Sequence, residues 1–151
     1  MHYDYSSEGL YFVTICAKDR RNLFSRISVG AAIGRPPKTE LTACGRAVQS
    51  AVESIPMHYE NACIDHYVIM PNHIHFIIKI GNTGQPTAAP TLSRIVNQFK
   101  GYVTKQTGNS IWQKGFYDHV IRDEDDYLTK ANYIENNPAK WAEDELYTED
   151  L

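Results

Sequence analysis

The chain has 151 residues, of which 42% are hydrophobic and 22% charged, with a formal net charge of −3. That length and balance predict one globular domain, 1–151, large enough to bury a core. The apolar runs are too short to cross a bilayer and no signal-peptide pattern opens the chain, so the expectation is a cytoplasmic protein without a membrane partner.

Cys16, Cys44 and Cys63 are scattered without a C-x-x-C pair, which fits reduced thiols and argues against a cysteine-rich metal site. An acidic total does not advertise a nucleic-acid binder. The acidic residues, however, crowd into 123–126 and 143–150. The rest of the chain is basic and carries Lys18, Arg20, Arg21, Arg94, Lys100, Lys105, Lys114 and Arg122.

In chain order, residues 1–9 read as a polar lead-in. Residues 10–17, LYFVTICA, have the β-branched and aromatic content of a strand, and a basic cluster at 18–21 follows it directly. Gly30, Gly34 and the Pro36-Pro37 pair mark 22–38 as an irregular connection. Thr39 is the expected N-cap of a helix running to about Ile55. Leu41, Cys44, Val48, Val52 and Ile55 recur at helical spacing, and Pro56 is the expected stop.

A second strand is expected over 62–70 and a third over 73–80, joined at Met70-Pro71-Asn72, where proline presets a turn. Residues 81–90 are a loop by composition. An amphipathic helix over 91–107 turns Leu92, Ile95, Val96, Phe99 and Val103 inward and Arg94, Lys100 and Lys105 outward. That basic face is either a solvated helix surface or a row of phosphate contacts.

Residues 111–122 read as a fourth strand kinked at Gly115. Asp123 caps a third helix, with three acids in its first turn where the macrodipole favours negative charge, and Pro138 ends it. The tail from 143 reads as acidic and peripheral. The core order β-α-β-β-α-β predicts an α+β, ferredoxin-like (split βαβ) fold. It has an antiparallel sheet, two helices on one face and a further C-terminal helix.

After the 70–72 turn, HIHFIIKI alternates. Ile74, Phe76, Ile78 and Ile80 form an apolar stripe, while His73 and His75 stand together on the opposite face, ~7 Å apart in rise. The pair is either two histidines on a solvated face or two ligands for one divalent metal. In the third helix Tyr133 and Asn137 are four apart and share a face. Polar neighbours weaken a core role for Tyr133, whereas Tyr127 and Ile134 read as packing residues.

Three ordered motifs, M-P-N-H-I-H, W-Q-K-G-F-Y-D-H-V-I-R and Y-I-E-N-N-P, resemble the single-tyrosine HUH transposases, and within them the REP-associated tyrosine transposases. The similarity runs from Tyr11 to Trp141. It implies His73 and His75 as metal ligands, Tyr133 as nucleophile and Asn137 as a polar third ligand. The implied activity is metal-dependent cleavage and strand transfer on single-stranded or hairpin DNA through a 5′-phosphotyrosine, with Mg²⁺ or Mn²⁺ as cofactor. A homodimer and a monomer both occur among such relatives.

His119 is an alternative third ligand, a proton carrier, or an exposed histidine. His66 is a weaker candidate for a supporting role. Lys18, Arg20, Arg21, Arg94, Lys100 and Lys105 are candidate DNA contacts. Trp112, Phe116 and Tyr117 are either stacking residues or core. The competing functional readings are a single-stranded nucleic-acid-binding protein of the same fold without productive cleavage, and a metal-dependent hydrolase that uses water.

Overall fold

The computed structural model of the protein describes residues 9–28, 38–81, 92–143 and 146. Residues 1–8 of the expected lead-in, 29–37 of the connection, 82–90 of the loop and nearly all of the acidic tail lie outside the described residues, whereas Gly9, read as lead-in, already belongs to the first strand. The elements are β1 (Gly9–Cys16), β2 (Ser25–Ser28), β3 (Lys38–Leu41), α1 (Ala43–His58), β4 (Ala62–Ile69), β5 (His73–Ile80), α2 (Leu92–Thr107), β6 (Tyr117–Val120) and α3 (Glu124–Asn136). Short 3-10 turns cover Lys18–Arg20 and Pro138–Glu143. β4, β5, β1 and β6 form one sheet in that order, with every pairing antiparallel. This is the ferredoxin-like arrangement that the element order predicts.

The two sheet faces are used differently. Val13, Ile15, Ile74, Phe76 and Ile78 pack with Val48, Val52 and Ile55 of α1 and with Ile95, Val96, Phe99 and Val103 of α2. All five inward positions expected for α2 point to the sheet. On the other face Leu10, Phe12 and Ile77 pack with Ala131 and Ile134 of α3, and Tyr127 joins them part-buried. Strand alternation therefore assigns aliphatics to the α1/α2 side and leaves His73 and His75 on the α3 side.

Four expectations about elements need correction. Thr39 does not cap α1; it lies in β3, paired with Ile27 of β2, so a small hairpin occupies ground read as irregular. Thr42 is the cap, and its hydroxyl accepts from Gly45 N–H at 3.0 Å. The helix starts there because Thr42 N–H also donates to Phe24 O, which ties the cap to the core. A Cβ on Gly45 would meet Phe24 O at 1.9 Å, so a glycine is required at this approach.

Pro56 does not end α1. It sits in the last turn, where Tyr59 N–H still reaches Ile55 O and the helix extends to His58. Pro56 has no N–H for the carbonyl of Val52 and its ring crowds that carbonyl, yet the helix runs two residues past it before closing on Tyr59. The fourth strand is confined to Tyr117–Val120. Upstream, Trp112 bridges to Ala17, and Lys100 Nζ donates to the carbonyls of Gln113 and Gly115, so 111–116 wraps the sheet end rather than extending it. Last, residue 146 of the tail is not peripheral: it packs against the β4–β5 turn, as the site geometry below shows.

Candidate active site

The β4–β5 turn is buried, which is unusual for a turn and requires its polar groups to be paired. They are. Met70 N–H donates to His73 O, Ala17 N–H to Asn72 O, and Phe24 N–H to Pro71 O, all at 2.8–2.9 Å. The turn is thus held from three sides, and it fixes the start of β5, where the histidines lie.

His73 and His75 are buried, and their Nε2 atoms stand 3.1 Å apart. Strand rise alone would separate the rings by ~7 Å, so both side chains lean toward one point. The partners on the opposite ring nitrogens explain this. Asn72 Nδ2 donates to Leu146 O at 2.6 Å, which orients its amide so that Oδ1 accepts from His73 Nδ1–H at 2.7 Å. With the proton on Nδ1, the His73 Nε2 carries its lone pair toward His75. His75 Nδ1 lies 2.8 Å from Thr14 Oγ1, a hydroxyl that can donate or accept.

Burial, and next the neighbouring His73, hold the His75 imidazole well below its ordinary range, so it stays neutral. A neutral imidazole is the state in which histidine binds a divalent cation, and the two Nε2 atoms converge on one point. Among the described residues no cluster of three or more His, Cys, Asp or Glu side chains completes a metal site. A third ligand would have to come from another residue type. Asn137 has that chemistry: it is buried, it lies one helical turn beyond Tyr133, and its Oδ1 has no hydrogen-bond partner among the described residues.

Tyr133 is 42% exposed, although it stands on a helix with a buried face. Its ring meets His75 edge-on, with centroids 5.2 Å apart, and Phe12 at 6.0 Å. α3 carries it there because Ala131 and Ile134 occupy the inward stripe, turning Tyr133 and Lys130 to the adjacent face. A cleft of about 470 Å³ opens at this point, with His75, Tyr133, Lys130, Tyr117 and Leu146 among its walls. Trp141 covers His73 with ring centroids 6.0 Å apart.

The other candidates are dispersed. His119 is exposed on β6 and lies 2.7 Å from Asp126 Oδ2, which ties it to the start of α3 and not to the histidine pair. His66 follows an irregularity in β4 and stands 6.0 Å from the Tyr127 ring. Lys18, Arg20 and Arg21 are exposed at the end of β1, and Arg20 O lies 3.4 Å from Asn72 Nδ2, so the basic turn adjoins the His73 end of the site. Asp19 and Arg20 there have φ of 57° and 53°, a left-handed conformation rare for non-glycine residues.

Arg94 and Lys105 are exposed on α2, across the sheet from the histidines. Lys100 is half-buried, its amine donating to two carbonyls, and burial lowers its pKa. Trp112 packs against Phe24 and Phe99, whereas Tyr117 is 75% exposed. Sequence reasoning missed Asn72 and Thr14, which orient the imidazoles, and Lys130 and Leu146 on the cleft wall. Only Asn72 and Lys130 left a signal, by adjacency to His73 and by spacing from Tyr133.

No protein-family model matches the chain. It is 38% identical to an uncharacterized protein of Haemophilus influenzae, over 98% of this chain and 90% of that one. A second H. influenzae protein, provisionally named as a REP-associated tyrosine transposase, is 28% identical over 91% of this chain and 74% of its own length. The Escherichia coli REP-associated tyrosine transposase is 32% identical over 51% of this chain and 44% of its own length. The solved structure of a REP-associated tyrosine transposase bound to a REP hairpin superposes with a TM-score of 0.65, at 22% identity, covering 93% of this chain and 70% of that one.

The chain is thus similar in sequence to REP-associated tyrosine transposases and shares the fold of one of them. Among the described residues no helix is long and apolar enough to cross a membrane.

Proposed function

We propose that this protein is a divalent-metal-dependent single-strand DNA endonuclease and strand transferase that acts on hairpin or repeat DNA through a 5′-phosphotyrosine on Tyr133. The observation that carries this reading is the convergence of the His73 and His75 Nε2 atoms beside the exposed Tyr133 ring. The hairpin bound by the related transposase supports the choice of DNA.

Tyr133 supplies the nucleophilic oxygen, which attacks the scissile phosphorus. The P–O3′ bond breaks, the strand leaves with a 3′-OH, and the phenolic proton passes to solvent or to the leaving oxygen. The phosphodiester is conserved as a tyrosine ester, so a second 3′-OH can attack it later, release Tyr133 and join strands without ATP. His73, His75 and Asn137 would hold Mg²⁺ or Mn²⁺, which would supply charge stabilisation at the phosphate oxygens. Asn72 and Thr14 hold the imidazoles in place throughout. Lys18, Arg20 and Arg21 border the site and take flanking phosphates, while Arg94 and Lys105 offer a second basic surface on α2. Tyr133 stands beside the histidines of its own chain, a geometry that supports attack in cis.

The test uses single-stranded and hairpin DNA, including the repeats flanking the gene, labelled at either end and incubated with Mg²⁺ or Mn²⁺. A covalent adduct on denaturing gels, lost in Tyr133→Phe and with chelator, is the expected result. Intact DNA binding with no adduct would favour a binding protein of the same fold. Metal-dependent cleavage without an adduct would favour a water-using hydrolase.

A further inference from the structure

Tyr117 is the most exposed aromatic ring of the sheet, at 75%, and hydrophobic burial gives no reason for its placement. The strand register does. Tyr117 pairs with Thr14, and Thr14 pairs with His75, so the three side chains form one rung on the α3 face. Two inter-strand spacings place the Tyr117 backbone ~10 Å from that of His75, at the open edge of the sheet. Both residues line the same cleft, as does Tyr133 from α3, whose ring meets those of His75 and Phe12. Lys130 lies on that wall too, one helical turn before Tyr133, half-buried and with its amine 5.4 Å from the Phe12 ring centroid. The cleft therefore has an aromatic plane at its outer end and a cation beside the phenol.

We infer that Tyr117 and Lys130 form a nucleotide clamp: the base flanking the scissile phosphate stacks on the Tyr117 ring, and Lys130 takes the phosphate of that nucleotide. The inference rests on the proposed function, because it takes single-stranded DNA as the ligand of the cleft. The chemistry suits an unpaired strand, since stacking needs an exposed base face and is largely indifferent to which base supplies it. The clamp orients the strand so that the phosphate beside the stacked base falls between Tyr133 and His75. Both are positioning residues, since neither bonds to the reacting phosphorus.

The experiment separates the clamp from cleavage by working in the Tyr133→Phe background, where no strand is cut. 2-Aminopurine is walked through the single-stranded foot of a hairpin oligonucleotide from the flanking repeats, and fluorescence and Kd are read on binding. One position should be strongly quenched. Tyr117→Phe should retain that quench, whereas Tyr117→Ala should lose it and bind about tenfold more weakly, as expected for one lost stack.

Lys130→Gln should keep the quench but flatten the slope of log K against log salt by about 0.7, one phosphate contact on a single strand. Thermal midpoints equal to the parent's would exclude misfolding of either variant. Unchanged quench and affinity in Tyr117→Ala, or an unchanged salt slope in Lys130→Gln, would overturn the clamp. Because the readout is binding, it stands whether or not the wild type forms an adduct. A parent that binds no DNA would overturn the clamp and the proposed function together.

Discussion

The two faces of the sheet are built from the same strands and obey opposite rules. Toward α1 and α2, β5 presents Ile74, Phe76, Ile78 and Ile80, closed over by helices and dry. Toward α3, the same strand presents His73 and His75, with Asn72 and Thr14 hydrogen-bonded to them and an exposed tyrosine alongside. One face supplies stability through apolar burial. The other holds buried polar groups that are costly unless paired, and among the described residues on that face the Asn137 side-chain oxygen is left without a partner. Rigidity on the first face is what lets the second hold two imidazoles at a fixed separation.

The largest effects should divide cleanly along that line. His75→Gln should reduce metal-supported strand cleavage by at least about 100-fold, the scale of removing a group that stabilises transition-state charge, while the protein still unfolds cooperatively. Phe76→Ala, one residue away on the other face, should do the reverse. It should cost about 3–5 kcal/mol of stability in denaturant melts, with residual activity in the fraction that remains folded. Equal losses of both properties in both variants would break the comparison.

An intermediate effect is expected at Asn72, which orients His73 from outside the candidate ligand set. Asn72→Ala should weaken Mn²⁺ binding about 10- to 100-fold, the range seen when a supporting hydrogen bond to a ligating histidine is removed. Isothermal titration can check this, and an unchanged affinity would exclude the positioning role. Removing the amide also frees Leu146 O, so the cleft wall formed by residue 146 should loosen in the same variant.

The smallest effect concerns pH. The folded His75 pKa is lowered, so below the ordinary value near ~6.5 the unfolded chain binds a proton that the folded one refuses. Stability of the metal-free protein should therefore fall as pH drops through that value, by up to about 1.4 kcal/mol per pH unit for this one group, until the folded pKa is reached. The loss should be absent above it. His75→Gln should flatten the slope between pH 5 and 6.5, and an unchanged slope would mean that His75 protonates without penalty.

Most of the frame was legible in the sequence because period-2 and period-3.6 patterns survive wherever one face is buried, as in β5 and α2. The β2–β3 hairpin was not, since Ser25–Ser28 and Lys38–Leu41 are short and largely polar, and turn residues in between masked them. Thr39 and Thr42 are equivalent caps on paper; only the tie to Phe24 chooses between them. At the site, His73, His75 and Tyr133 were visible as motif residues. The supporting partners Thr14 and Leu146 were not, because each depends on a contact across strands or from the tail.

The most direct measurement is to digest the protein–DNA product formed with Mn²⁺ and map the linked nucleotide by mass spectrometry. The account predicts a 5′-phosphate ester on the peptide that contains Tyr133. Attachment to Tyr117 or any other residue, or cut DNA with no modified peptide, would contradict it.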